Sequence, residues 1–321
     1  MIDRRRFITI GVGAFVVAGL PVALTRRRQP RTIRRSIPVM GTIAELVVVH
    51  DDVAKAEAAI DAAVAELRRV ERTMTRFTAT SDIGRANAGA AQAAVAVSPE
   101  TALVVREALR WADATSGAYD PAIGGVIGLW DVTNRQSPPR GEAIVALAGL
   151  SLHRTVEVGS GDRLYFHDRR ARLDLGGIAK GYGVDRAVDA LRANGITRAV
   201  VDVGGDLYAL GLAADDEPWS IGIQSPDDRR ALAAIIPASD CAIATSGTYQ
   251  QFFRFRGERY HHLIDPRTAA PRATPVQSLT IRADSCMHAD VAATALYGMT
   301  TATANALLAR VAFDARVERT I

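Results

Sequence analysis

The stretch RLDLGGIAKGYGVDRAVDALRANGITRAVVDVGGD, residues 172–206, decides the fold. Residues 172–175 alternate apolar and polar and predict a strand that carries Asp174. Gly176-Gly177 predicts a tight turn, and residues 180–194 predict a helix stopped by Gly195. Residues 198–203 then predict a buried strand closed by Gly204-Gly205-Asp206. Two glycine pairs, each beside an aspartate, thus bracket one helix.

Upstream, residues 32–38 read as a linker and 43–50 as a strand, joined by Val39-Met40-Gly41-Thr42. From residue 53 to 77, Val53, Ala56, Ile60, Val64, Leu67, Val70, Met74 and Phe77 recur every three or four positions, a long amphipathic helix. Glu66, Arg68, Arg69 and Arg72 fall between them as a solvated face. A loop over 78–94 carries Ser81-Asp82-Ile83 and Asn87, and 99–114 is a second helix ending near Gly117. Short strands are expected at 155–158 and 163–166. Downstream, strands fit 207–212, 219–224, 232–236, 251–255 and 278–282, before a final helical segment over 287–311 interrupted at Gly298. Helices and strands without strict alternation argue for an α+β fold, one large domain over 36–321.

Composition narrows the class. A chain of 321 residues with 48% hydrophobic and 23% charged residues is not collagen-like, disulfide-dense or wholly disordered. Its formal charge of +4 divides unevenly: residues 1–35 hold nine Arg and one Asp, so the remainder is net −4. That distribution gives no basic face to a nucleic-acid partner. Cys241 and Cys286 are too few for a disulfide framework; pairing in an oxidising compartment and two small buried thiols both fit them.

Residues 1–35 read as an export signal. Asp3-Arg4-Arg5-Arg6-Phe7-Ile8 holds a twin-arginine pair ahead of an apolar run over 8–25. The same run, at about 18 residues, also reaches the minimum for a membrane anchor. The export reading places the domain on the extracytoplasmic face of the cytoplasmic membrane, cleaved or held there by the anchor. Arg26, Arg27 and Arg28 complicate the orientation of an anchor.

Four clusters could carry chemistry. Asp174-Leu175-Gly176-Gly177-Ile178-Ala179-Lys180-Gly181-Tyr182 lets backbone approach a ligand at a helix start, where N–H groups favour phosphate. It matches neither the P-loop nor the dinucleotide fingerprint. Lys180 is one of two lysines, with Lys55, among 39 basic residues, a hint that a compact ammonium is wanted. Asp290 and Thr294 are four apart and share a helix face, a carboxylate and a hydroxyl suited to a hard cation or to a plain structural role. His261-His262-Leu263-Ile264-Asp265-Pro266-Arg267-Thr268 offers acid/base or phosphate-contacting groups. Ala244-Thr245-Ser246-Gly247 reads as a positioning turn, since it lacks the nucleophile elbow.

Taken in this order, with Met40-Gly41-Thr42, the Ser81 to Asn87 loop, Ser116-Gly117-Ala118-Tyr119-Asp120-Pro121, Leu129-Trp130 and Tyr249, these clusters resemble the ApbE family, the FAD:protein FMN transferases. The resemblance runs over about residues 39–300. It implies an enzyme that binds FAD as substrate, holds Mg²⁺ at its pyrophosphate and moves FMN to a Thr hydroxyl of a target protein as a phosphoester, releasing AMP. It further implies that Met40, Phe77, Ala118, Tyr119, Asp120, Asp174, Lys180 and Ile264 line the FAD site. Gly177, through its carbonyl, with Asp290 and Thr294 would hold the magnesium, and His262, then Asp265, would assist the proton or phosphate chemistry. The acceptor would be an exported or membrane-bound redox protein. The same site could serve a FAD pyrophosphatase that gives FMN and AMP, or a non-catalytic flavin-binding module. Three positions depart from the family: Asp82 where Glu is usual, Ala269 where Gly is usual, and Thr248 where an acidic residue is common.

Overall fold

A computed structural model describes residues 15–18, 30–228, 230–311 and 314–321. The twin-arginine pair and most of the apolar run lie outside the described residues. Within that run, Phe15–Ala18 is a strand antiparallel to Trp219–Gln224. Among the described residues no helix is long and apolar enough to cross a membrane. The fold is α+β, and the chain packs as two compact units, each drawn from separated segments.

The first unit takes residues up to Glu71, Lys180–Thr245 and Arg282–Ala289. Its sheet runs in the order Cys241–Gly247, Asp206–Leu210, Ala199–Val203, Thr42–His50 and Arg31–Val39, antiparallel throughout. The register sets Glu45 opposite Asp202 and Val203 opposite Asp206. Ala199–Val203 and Asp206–Leu210 are buried along their whole length, as a two-faced internal strand requires. Ala179–Ala193 is the expected helix, and Gly195 ends it at φ 75°. Gly183 on that helix admits close packing, because a Cβ there would stand 3.1 Å from Met40 Sδ and 3.4 Å from Leu67.

The second unit takes Arg72–Ala179, Ser246–Ile281 and Asp290–Ile321. Ser98 caps Pro99–Ala114, accepting from the Thr101 N–H at 3.3 Å with Pro99 in the first turn. An apolar cluster of Ile123, Val126, Trp130, Val132, Phe253 and Ala269 is sealed by Tyr260, stacked on Trp130 at 5.6 Å and on Phe253 at 5.1 Å. Gly298 splits the C-terminal helical segment into Cys286–Leu296 and Thr301–Val311 at φ 82°.

Several sequence expectations need correction. The linker over 32–38 is a strand, Arg31–Val39, whose Ile33, Ile37 and Val39 turn inward between exposed polar residues; as an edge strand it tolerates Pro38. The 244–247 turn is the end of a fully buried strand, Cys241–Gly247. The loop over 78–94 contains the helix Asp82–Gly89, capped by Ser81, which accepts from the Gly84 N–H at 2.8 Å. The expected strand over 172–175 makes only an isolated bridge, Ile123 to Arg172. The first helix stops at Met74, so Phe77 leaves the apolar stripe and is 82% exposed. Gly124–Trp130, Gly141–Val145 and Arg316–Thr320 carried no expectation. Cys241 and Cys286 are both free and buried.

Candidate functional site

Most of the sequence-predicted site residues lie in the second unit, and the turn after Pro99–Ala114 is its foundation. Ser116 and Gly117 both take positive φ, 51° and 76°. Thr115 Oγ1 then accepts from the Tyr119 N–H at 3.2 Å. The Asp120 carboxylate is wholly inward: Oδ1 accepts from the Ala122 N–H at 2.8 Å, and Oδ2 from the His153 N–H at 3.1 Å and the His153 Nδ1 at 3.0 Å. Asp120 is therefore a fastener for the turn. Tyr119 lies beside it with a buried hydroxyl that has no hydrogen-bond partner. Burial, then the negative charges of Asp290, Asp174 and Asp120, push that phenol well above its ordinary value.

The segment with Asp174 docks on this turn. The Asp174 N–H donates to the Pro121 carbonyl at 2.8 Å, and Leu173 exchanges two hydrogen bonds with the Asn87 side chain. The Asp174 carboxylate takes the Gly176 N–H at 2.8 Å and an ion pair with Arg76 Nε at 2.5 Å. Arg76 also lies 4.3 Å from the centre of the exposed Phe77 ring, so one guanidinium ties that aromatic to Asp174.

Gly177 faces the helix Cys286–Leu296. A Cβ on Gly177 would stand 2.9 Å from Thr294 Cγ2 and 3.0 Å from its Oγ1, so only glycine admits this approach. Ser246 Oγ lies 3.4 Å from Thr294 Oγ1, and Asp290, one helical turn back, is 2% exposed. Among the described residues no group of three or more His, Cys, Asp and Glu could hold a metal. The set that gathers here is of another kind: backbone, carboxylate and hydroxyl oxygens, which suit Mg²⁺. The Tyr119 hydroxyl nearby is buried without a hydrogen-bond partner, and the negative charge of Asp290 raises its pKa further.

The His261 to Thr268 segment supplies nitrogen and charge. His261 is buried, and desolvation, then Arg259 and Arg272, pull it down to about 4. It is thus neutral, with Nε2–H donating to the Arg272 carbonyl at 3.2 Å and Nδ1 accepting from the Leu263 N–H at 3.3 Å. His262 is half-buried, and its Nδ1 donates to the Gln251 carbonyl at 3.2 Å. Burial pushes Asp265 up, but hydrogen bonds from Arg267 and the charge of Arg272 outweigh it and hold the carboxyl below its ordinary range. Ile264 pairs with Pro271 and packs on the Trp130 cluster. Ala269, at φ 52°, keeps the left-handed turn that a glycine would favour, and its carbonyl accepts from Trp130 Nε1 at 2.7 Å.

Met40 and Lys180 belong to the first unit. Met40, at φ 53°, turns the Arg31–Val39 and Thr42–His50 hairpin, and its N–H donates to Glu71 Oε1 at 2.6 Å. An open groove of about 480 Å³ lies there, lined by Pro38, Val39, Gly41, Thr42, Ile43 and Glu71. The Lys180 ammonium is ion-paired with the buried Asp206.

The family model described as "ApbE family" matches residues 40–317. The chain belongs to the ApbE family. An FAD:protein FMN transferase of Vibrio cholerae is 38% identical over 240 residues, 73% of this chain and 71% of that one. Another, from Treponema pallidum, is 32% identical over 90% of this chain and 84% of its own length. Among solved structures, the flavin transferase ApbE from Vibrio cholerae superposes with a TM-score of 0.78 at 32% identity, covering 90% of this chain and 93% of that one. The ApbE protein of Thermotoga maritima gives 0.81 at 27%, over 89% and 94%. The chain is therefore an enzyme, with the α+β architecture of the ApbE structures.

Sequence reasoning missed three residues that build this ApbE site: Arg76, His153 and Arg272. Arg76 sits between Thr75 and Phe77 at a helix end, and its neighbour Phe77 was the available signal. His153 stands in the short 3-10 helix Leu152–Thr155 and Arg272 in a loop, neither with a readable period, and only the tertiary structure reveals their partners.

Proposed function

We propose that this ApbE protein is a magnesium-dependent FAD:protein FMN transferase that esterifies a Thr hydroxyl of a target protein and releases AMP. The observation that carries the reading is the oxygen cluster around Tyr119, where Asp290 and Thr294 meet the glycine turn that follows Asp174. The Gly177 carbonyl, the Asp290 carboxylate and the Thr294 hydroxyl would hold Mg²⁺. That ion would draw charge from the pyrophosphate and so improve AMP as a leaving group.

The rest falls to side chains. The Ala118–Tyr119 turn and Ile264 line the flavin nucleotide, Phe77 offers an exposed ring for stacking, and Asp174 accepts a hydrogen bond from a flavin or adenine N–H. The Thr Oγ attacks the FMN phosphorus, the bond to the bridging oxygen breaks, and its electron pair leaves on the AMP phosphate. His262 receives the hydroxyl proton on Nε2, because its Nδ1–H is committed to the Gln251 carbonyl. Asp265 serves the turn, since both of its oxygens accept from Arg267.

The twin-arginine leader supports export, with an extracytoplasmic or membrane-bound redox protein as acceptor. The test is intact-mass spectrometry of a Thr-containing acceptor segment incubated with FAD, Mg²⁺ and the full-length protein. The expected result is an acceptor heavier by one FMN, with one AMP per modification. AMP and free FMN beside an unmodified acceptor would make the enzyme a pyrophosphatase, and no AMP would make it a flavin-binding module.

A further inference from the structure

Arg272 is a half-buried arginine that the transfer chemistry leaves unused, yet it touches three parts of the second unit. Its Nη1 donates to the carbonyl of Tyr297, the residue just past the helix that carries Asp290 and Thr294. Its Nη2 donates to the carbonyl of Ala118, in the Ser116 to Pro121 turn. Its backbone N–H donates to Leu263 at 2.9 Å, and its carbonyl accepts from His261 Nε2.

The surrounding contacts enforce this position. Gly298, at φ 82°, leaves room for the Arg272 stem, since a Cβ there would stand 2.9 Å from Arg272 Cδ. Thr274 Oγ1 donates to the Gly298 carbonyl at 3.3 Å, and the Tyr297 hydroxyl donates to the Val276 carbonyl at 2.6 Å. The segment from Arg272 to Val276 therefore wraps the carboxyl end of the helix, where a cation also meets the negative end of the helix dipole. A planar fork is required to reach two carbonyls on separate elements at once. A lysine, with one compact ammonium on a flexible stem, would not fix both.

We propose that Arg272 is a positioning residue that couples magnesium binding to FAD binding, by locking the Asp290–Thr294 helix to the Ala118 turn. The proposal rests on the magnesium and FAD assignments above. If the metal ligands and the flavin-lining turn share one rigid link, each ligand organises the other's site, and Mg²⁺ raises FAD affinity by a coupling factor. Cutting the link reduces that factor while leaving the ligand residues themselves in place.

The experiment is a fluorescence titration of FAD into full-length protein, without and with saturating Mg²⁺, for wild type, Arg272→Lys and Arg272→Ala. The expected result is a Mg²⁺-dependent gain in FAD affinity in the wild type that falls about fivefold or more in R272K. Added guanidinium should restore part of the gain in R272A. Loss of folded protein alone would change the number of binding sites and not this ratio. A gain in R272K within twofold of wild type overturns the positioning role. A wild type whose FAD affinity ignores Mg²⁺ overturns the magnesium reading and the coupling with it.

Discussion

Two aspartate–glycine turns, built from the same residue types, do different work. In the second unit, the Asp174 to Gly177 turn keeps its carboxylate at a half-buried position, shared between the Gly176 N–H and Arg76. In the first unit, Asp202 and Asp206 flank Gly204-Gly205 and both are buried: Asp202 accepts from the Gly205 N–H at 2.8 Å, and Asp206 holds Lys180. Asp174 stays partly open to solvent, whereas Asp202 and Asp206 are buried in closing a hairpin. A motif rich in Asp and Gly thus signals a backbone that turns sharply, and exposure decides whether it also binds.

The sharpest way to break that contrast is to remove a carboxylate from the proposed metal set. Asp290→Ala should slow AMP release by about a thousandfold, roughly 4 kcal/mol of transition-state stabilisation, with the thermal midpoint nearly kept. Equal rates in wild type and variant would show that Asp290 only supports the helix. Glycine substitutions give a smaller and more selective effect. Gly177→Ala drives a methyl into Thr294 and should weaken Mg²⁺ activation at a stability cost of about 1–3 kcal/mol. Gly204→Ala meets Thr42 Oγ1 at 2.7 Å from a positive φ of 64°, and should lower the thermal midpoint without changing the Mg²⁺ response. If both variants lost only stability, the two turns would be alike after all.

What was legible in the sequence follows the same division. The 180–194 helix, the break at Gly298 and the strand over 219–224 were readable, because periodicity and a single glycine carry local information. Arg31–Val39 was not, since its arginines and Pro38 imitate a linker until a partner strand shows which residues turn inward. Cys241–Gly247 escaped because small residues buried on both faces leave no alternation. Motif order named Asp174, Gly177, Asp290 and Thr294 as candidates, and the structure brings Gly177 against Thr294. Arg272, in Pro-Arg-Ala-Thr, could not be named, because its two carbonyl partners come from remote segments.

Acidity offers a milder probe of the buried turn. Burial first, then Glu45 across the strand, pushes Asp202 up to about 7, against the Gly205 N–H and the Lys180 charge that pull it down. Glu45 is itself raised by burial, with Arg34 opposing. Between about pH 4 and 7 the unfolded chain has released this proton and the folded chain retains it, so stability should fall as pH rises through that window. Asp202→Asn removes the group's share and should flatten the thermal midpoint against pH. A slope unchanged in the variant would mean that Asp202 is ionised in the fold.

The smallest expected effect concerns Phe77, the residue that leaves the apolar stripe of its helix. At 82% exposure its ring contributes little buried area, so truncation should leave the thermal midpoint within about 1 °C. The Arg76 guanidinium at 4.3 Å nevertheless holds the ring beside the group that pairs with Asp174. An aromatic face kept there is available to stack on a flavin or adenine ring, an interaction of about 0.5–1.5 kcal/mol. Phe77→Ala should therefore weaken FAD binding by about threefold to tenfold, with Phe77→Tyr close to wild type. A stability loss with unchanged FAD affinity would instead assign Phe77 to the fold. It would also shift Arg76, and the exposed side of the Asp174 turn, from ligand binding to plain packing.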